Sequence, residues 1–164
     1  MSKLYPVGVQ NFEKVISGGY EYIDKTALIY QLFNTGSYYF LSRPRRFGKS
    51  LLLSTIEAYA LGKKDLFKGL ALEKLERDWT VYPVLHLDLN TQKYDTPESL
   101  TNVLEENVQN WEALYGSSSG EIGVARRFQG IIRRACEQTG RRVVILIDEY
   151  DKPMLQAIGN EGLQ

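Results

Sequence analysis

The sequence predicts an α/β fold in which helices cover both faces of a parallel sheet, a three-layer sandwich, and three observations carry that reading. Short apolar runs alternate along the chain with longer amphipathic stretches. The run Val143–Ile147 is five consecutive aliphatic residues, the pattern of a strand buried on both faces. A glycine-lysine-serine triplet, Gly48–Ser50, stands where an apolar run meets an amphipathic stretch.

In chain order, Met1–Gly19 is poor in apolar residues and is expected to be an irregular lead-in. Tyr20–Asp24 alternates aromatic and acidic residues, which suits a short edge strand. Lys25–Asn34 carries Leu28, Ile29, Leu32 and Phe33 at helical spacing and stops before Gly36. Tyr38–Leu41 is wholly apolar and lies between Gly36 and Pro44, so a buried strand is expected. Gly48–Leu61 follows as a helix whose face is Leu51, Leu52, Ile56, Tyr59 and Ala60, ended by Gly62. Val84–Leu89 alternates as a strand. Pro97–Tyr115 is a long helix, with Thr96 as its N-cap and proline at its first position. Gly116–Gly120 is a flexible connector, Ile122–Thr139 a helix stopped by Gly140, Val143–Ile147 a strand, and a last helix starts near Pro153.

The bulk properties narrow the function. With 164 residues the chain suits one domain, and 43% hydrophobic against 24% charged residues exclude a disordered or fibrous protein. Twenty basic residues balance twenty acidic ones, so no global field draws the chain to nucleic acid or an anionic membrane. No apolar run approaches the length of a membrane span and no signal peptide is visible, so a cytoplasmic protein is expected. Cys136 is the single cysteine and reads as a small buried hydrophobe. His86 is the single histidine and builds no metal cluster.

The chemistry concentrates in two places. Ser42–Ser50 connects an expected strand to an expected helix, the setting of the phosphate-gripping pattern G-x-x-x-x-G-K-[ST]. Gly48, Lys49 and Ser50 match it, while Arg43 replaces its opening glycine. The helix start offers unpaired N–H groups and a positive dipole end to an anion. Gly48 lets the backbone approach the phosphates, Lys49 reaches them, and the Ser50 hydroxyl is a Mg²⁺ ligand. Arg45 or Arg46 adds charge, and Phe47 and Leu51 complete the loop. The second place is the end of Val143–Ile147, where Asp148 is set to bind the Mg²⁺ shell and Glu149 to polarise an attacking water. Asp88 ends a strand at the same sheet edge. The arginine pairs of 126–142 read as a solvated helix face, with nucleic-acid contact the alternative.

Taken with Tyr5–Phe12, Tyr22–Thr26, Tyr38–Leu53, Pro83–Leu89 and Val143–Pro153, these residues resemble the AAA-ATPase-like family of bacterial proteins over nearly the whole chain. The string Arg43-Pro44-Arg45-Arg46-Phe47-Gly48-Lys49-Ser50 is specific to that family, which makes Arg43 the family's own form of the loop. The resemblance implies a P-loop NTPase fold with Walker A and Walker B motifs, ATP and Mg²⁺ as ligands, and ATP hydrolysis in a complete protein. It implies that Asp24–Thr26 either lines the adenine or ribose side or simply caps the helix it precedes. In that class of fold a further strand inserts between the phosphate-loop strand and the acidic strand. The sequence stops at Gln164, so that strand is expected outside it, and these 164 residues alone are expected to be incomplete at the C-terminus, poorly stable and weakly hydrolytic. The alternative is an interaction module in which bound nucleotide is not hydrolysed. A protein or nucleic-acid partner stays open, as does a homo-oligomer.

Overall fold

The structure, a computed structural model, describes residues 4–42, 44, 47–91, 93–94 and 96–157. The chain divides into two compact units, Met1–Val81 and Tyr82–Gln164.

The first unit is helical: α1 (Phe12–Ser17), α2 (Thr26–Thr35), α3 (Lys49–Ala60), a 3-10 turn (Lys64–Phe67) and α4 (Ala71–Leu75). α1 packs on α3 and α2 on α4. The core is aromatic. Phe12 meets Phe67 at 5.0 Å and Tyr22 at 5.1 Å between ring centroids, and Tyr59 meets Phe33 at 4.8 Å. Leu51, Leu52, Ile56 and Tyr59 of α3 line this core, the face that their spacing predicts. The lead-in is less irregular than expected, because Asn11 accepts the Lys14 N–H at 3.0 Å and starts α1.

Two expected strands are absent here. Tyr20–Asp24 forms no ladder, and its bonds to the lead-in run from the Tyr20 N–H to the Val15 carbonyl at 3.1 Å and from the Glu21 N–H to the Leu4 carbonyl at 2.8 Å. Tyr38–Leu41 forms no ladder, and Tyr38 is 97% and Phe40 70% exposed. The physical reason is the same for both. A strand is made by its partner rather than by its composition, and this unit contains no strand among the described residues.

The second unit is the α/β part: β1 (Val84–Asp88), α5 (Pro97–Tyr115), α6 (Val124–Thr139), β2 (Val144–Asp148) and α7 (Lys152–Ala157). β1 and β2 are parallel and paired in register from Val84↔Val144 to Asp88↔Asp148. Parallel strands need a long crossover, and α5 and α6 supply it. These helices pack on each other, and Val108, Ile131, Trp111 and Phe128 bury Leu85 completely. Leu89 packs with Tyr94 and Val103 beside it. The start of α5 is fixed by Thr96 and Ser99, whose hydroxyls lie 2.9 Å apart while the Thr96 N–H donates to Ser99 Oγ at 3.2 Å. β2 pairs with β1 and with no other strand among the described residues, and its Ile145 and Ile147 stay 41% and 49% exposed. The architecture is therefore mixed α/β around a two-stranded parallel sheet.

Candidate functional site

The phosphate side begins where α3 begins. Gly48 is its N-cap and holds φ at 75°, in the left-handed region. There a side chain would crowd the following carbonyl, so glycine is the residue that fits. Among the described residues no side chain caps this helix start, which leaves its first N–H groups and positive dipole end without a side-chain acceptor there. Lys49 and Ser50 are its first two residues, both half-buried, and neither side chain bonds to another described residue. The later turns of the helix are pinned. The Phe12 N–H donates to Ser54 Oγ at 2.8 Å, and the Thr55 hydroxyl donates to the Leu51 carbonyl at 2.8 Å. Leu51 itself turns into the core, and Phe47 is exposed. Arg43, Arg45 and Arg46 lie outside the described residues.

The carboxylate side ends β2. Asp148 is 8% exposed, and its Oδ1 accepts the Glu149 N–H at 3.0 Å. Glu149 sits at φ 52°, a left-handed conformation that costs a non-glycine residue on the order of 1 kcal/mol. Three residues on, the Lys152 N–H donates to the Glu149 carbonyl at 3.0 Å and α7 starts. On the neighbouring strand, Asp88 Oδ1 accepts the Asn90 N–H at 2.8 Å, and the Leu89 N–H donates to the Asp148 carbonyl at 3.1 Å. Lys152 Nζ donates to both the carbonyl and Oδ1 of Asn90, at 3.1 and 3.0 Å, with the Tyr94 ring 5.9 Å away. Burial first and the Asp88 charge second push the Tyr94 hydroxyl above its usual range. Asn90 and Lys152 were not singled out in the sequence. Their part here depends on the register that sets Asp88 beside Asp148.

Asp24 and Thr26 form a bracket. Asp24 Oδ1 accepts the N–H and the hydroxyl of Thr26 at 2.8 and 2.7 Å, and Oδ2 accepts the Ala71 N–H at 2.7 Å. Thr26 is fully buried, and its hydroxyl oxygen accepts the Leu72 N–H at 3.0 Å. The pair thus serves the starts of α2 and α4 together, which is the capping alternative extended to a second helix. Partial burial raises the Asp24 carboxyl, but the bonds from Thr26 and Ala71 outweigh it and leave its pKa below 3.8.

The arginine pairs of 126–142 split. Arg127 turns in to grip Glu112 at 2.7 Å and Glu105, and Arg134 grips Glu121 at 2.7 Å, whereas Arg126, Arg141 and Arg142 are exposed. A groove of about 360 Å³ passes over Gly130, lined by Glu121, Arg126, Gln129 and Arg133. Cys136 is a half-buried free thiol.

Among the described residues no three His, Cys, Asp or Glu side chains group into a metal cage. A Mg²⁺ ion shared with a nucleotide makes a smaller demand, since it takes one or two protein oxygens and keeps phosphate and water for the rest. Within the first unit Ser50, at the uncapped helix start, carries a hydroxyl oxygen, and within the second unit Asp148 carries a carboxylate with one oxygen accepting the Glu149 N–H.

The fold and these two chain segments define an α/β protein with a helix start that no described side chain caps and an acidic strand end. Residues 6–164 match the family described as "Predicted AAA-ATPase", and the chain belongs to that AAA-ATPase-like family. It is similar to a curated protein of Azotobacter chroococcum mcd 1, described as "Uncharacterized protein in vnfD 5'region", with 39% identity over 155 residues. That stretch is 93% of this chain and 30% of the relative, so the chain spans less than a third of the relative's length. No solved structure matches. No helix among the described residues is long and apolar enough to cross a membrane.

Proposed function

We propose that this chain is a P-loop nucleotide-binding module that grips the phosphates of ATP together with Mg²⁺. The observation that carries the reading is Gly48, in a left-handed conformation, opening an uncapped α3 with Lys49 and Ser50 as its first residues. Backbone N–H groups there bind anions without a dedicated side chain. Lys49 adds a mobile positive charge, and Ser50 adds a hydroxyl oxygen. Asp148 is the second oxygen donor for Mg²⁺, which would neutralise phosphate charge when bound. Family membership supports the same reading, and the P-loop three-layer sandwich is the fold to which β1 and β2 are proposed to belong.

Glu149 is the proposed base that orients and deprotonates an attacking water, and its left-handed backbone supports a functional role, because such strain persists where the surroundings hold it. Hydrolysis is proposed for a protein of the relative's full length, and a cytoplasmic location goes with it. Calorimetry tests the binding. Lys49→Ala should weaken MgATP at least about tenfold, the scale of one charge-assisted bond, and His86→Ala should leave affinity unchanged. Equal affinity of Lys49→Ala and the parent would overturn the assignment.

A further inference from the structure

We propose that Lys152 is a positioning residue for the carboxylate end of β2, acting through Asn90 to hold Asp148 and Glu149 in the geometry that receives Mg²⁺. The inference rests on the nucleotide reading for its functional half and on geometry alone for its structural half. Its basis is a closed circuit of hydrogen bonds around the ends of two strands. The Lys152 main chain holds the Glu149 carbonyl at 3.0 Å, while its side chain holds Asn90 twice, at 3.1 and 3.0 Å. The Leu89 N–H returns to the Asp148 carbonyl at 3.1 Å, and the Glu149 N–H closes the ring on Asp148 Oδ1 at 3.0 Å. Tyr94 joins the same strand end, donating its hydroxyl to the Leu89 carbonyl at 2.9 Å.

Two features make this more than a clasp for a short helix. β2 has ladder support from β1 alone among the described residues, so its end is free to fray unless something beyond the ladder ties it. The direction of the Asp148 carboxylate also depends on the Glu149 N–H, and hence on a left-handed turn that would relax if released. An ammonium on a four-carbon stem loses much rotamer freedom when fixed. Here two oxygens of Asn90 accept from it, and the Asn90 N–H holds Asp88, the in-register neighbour of Asp148. Lys152 therefore reads the spacing between the two strand ends.

The test uses Lys152→Met, which keeps the stem and removes the donors, and Lys152→Arg, which keeps charge and donors. Hydrogen exchange of the whole chain should speed up for Lys152→Met at 88–94 and 148–152 while α5 is unchanged. ATP affinity is then measured with Mg²⁺ and in EDTA. Lys152→Met should lose about tenfold of the affinity measured with Mg²⁺, the scale of removing a residue that orients a metal ligand, and should match the parent within about twofold in EDTA. Lys152→Arg should recover at least half of the lost Mg²⁺ effect. A Lys152→Met variant with parental exchange, with the parental Mg²⁺ gain, or with equal losses in both buffers overturns the proposal. If the parent itself gains nothing from Mg²⁺, the nucleotide reading fails instead, and the exchange result still decides the clasp.

Discussion

The two units place their chemistry on opposite kinds of chain end. In Met1–Val81 the candidate residues start a helix, and in Tyr82–Gln164 they finish a strand. A helix start offers backbone N–H groups, so its side chains matter at few positions: Gly48 for conformation, Lys49 for charge and Ser50 for a hydroxyl. At this strand end the candidate chemistry is carried by side chains, so Asp148 and Glu149 are proposed to depend on the surrounding circuit to aim them. Tolerance to mutation should differ accordingly. The flanks of the helix start, where Tyr38–Leu41 lies exposed, should accept change that the flanks of the strand end do not.

The largest effect expected on either side is in the cores. Phe67→Ala removes a fully buried ring that contacts Phe12, Tyr59 and Trp79, and should cost about 3–5 kcal/mol in denaturant unfolding. Leu85→Ala in the second unit should cost about 2–5 kcal/mol. If the two variants shift one shared transition equally, the units unfold together; two transitions moving separately would show that they do not. Next in size is Gly48→Ala. Among the described residues, its chain neighbours and its own helix backbone aside, nothing lies within 4 Å of the added Cβ, so its cost is conformational, about 1–2 kcal/mol, and its effect on nucleotide affinity should exceed that of Tyr38→Ser.

The smallest effect is the most specific. Asp24→Ala removes caps from α2 and α4 and should cost about 1 kcal/mol at neutral pH. Because the folded carboxyl titrates below 3.8, the stabilisation is present above that value and is lost as pH falls through the lower folded pKa. Thermal melts of parent and variant should therefore converge in acid. A gap that stays constant down to pH 3, below the ordinary Asp value of 3.8, would show that the charge is not what matters.

Helices were the legible part of the fold. α3, α5 and α6 follow from apolar spacing, from Thr96 and from Gly62 and Gly140, since a helix satisfies its own backbone. α1 was missed although Asn11, Phe12, Val15 and Ile16 carry its signal, because six residues hold too few periods to stand out. β1 was legible from its alternation and β2 as an aliphatic run, yet the wholly apolar Tyr38–Leu41 looked as strand-like and forms no strand, because pairing is decided elsewhere in the chain. For the site, Gly48–Ser50 and Asp148–Glu149 are read from local order alone. Asn90 and Lys152 are not, because 62 residues separate them and the strand register brings them together.

Lys49 and Asp148 are proposed to serve a bound nucleotide in different ways, and titration calorimetry of ATP with and without Mg²⁺ separates them. Lys49→Ala should weaken ATP in both buffers. Asp148→Asn, which keeps shape and removes charge, should abolish the gain from Mg²⁺ and leave the affinity in EDTA at the parental value. Contradiction would come from an Asp148→Asn variant that retains the full Mg²⁺ gain, or from a parent chain that binds no ATP in either buffer.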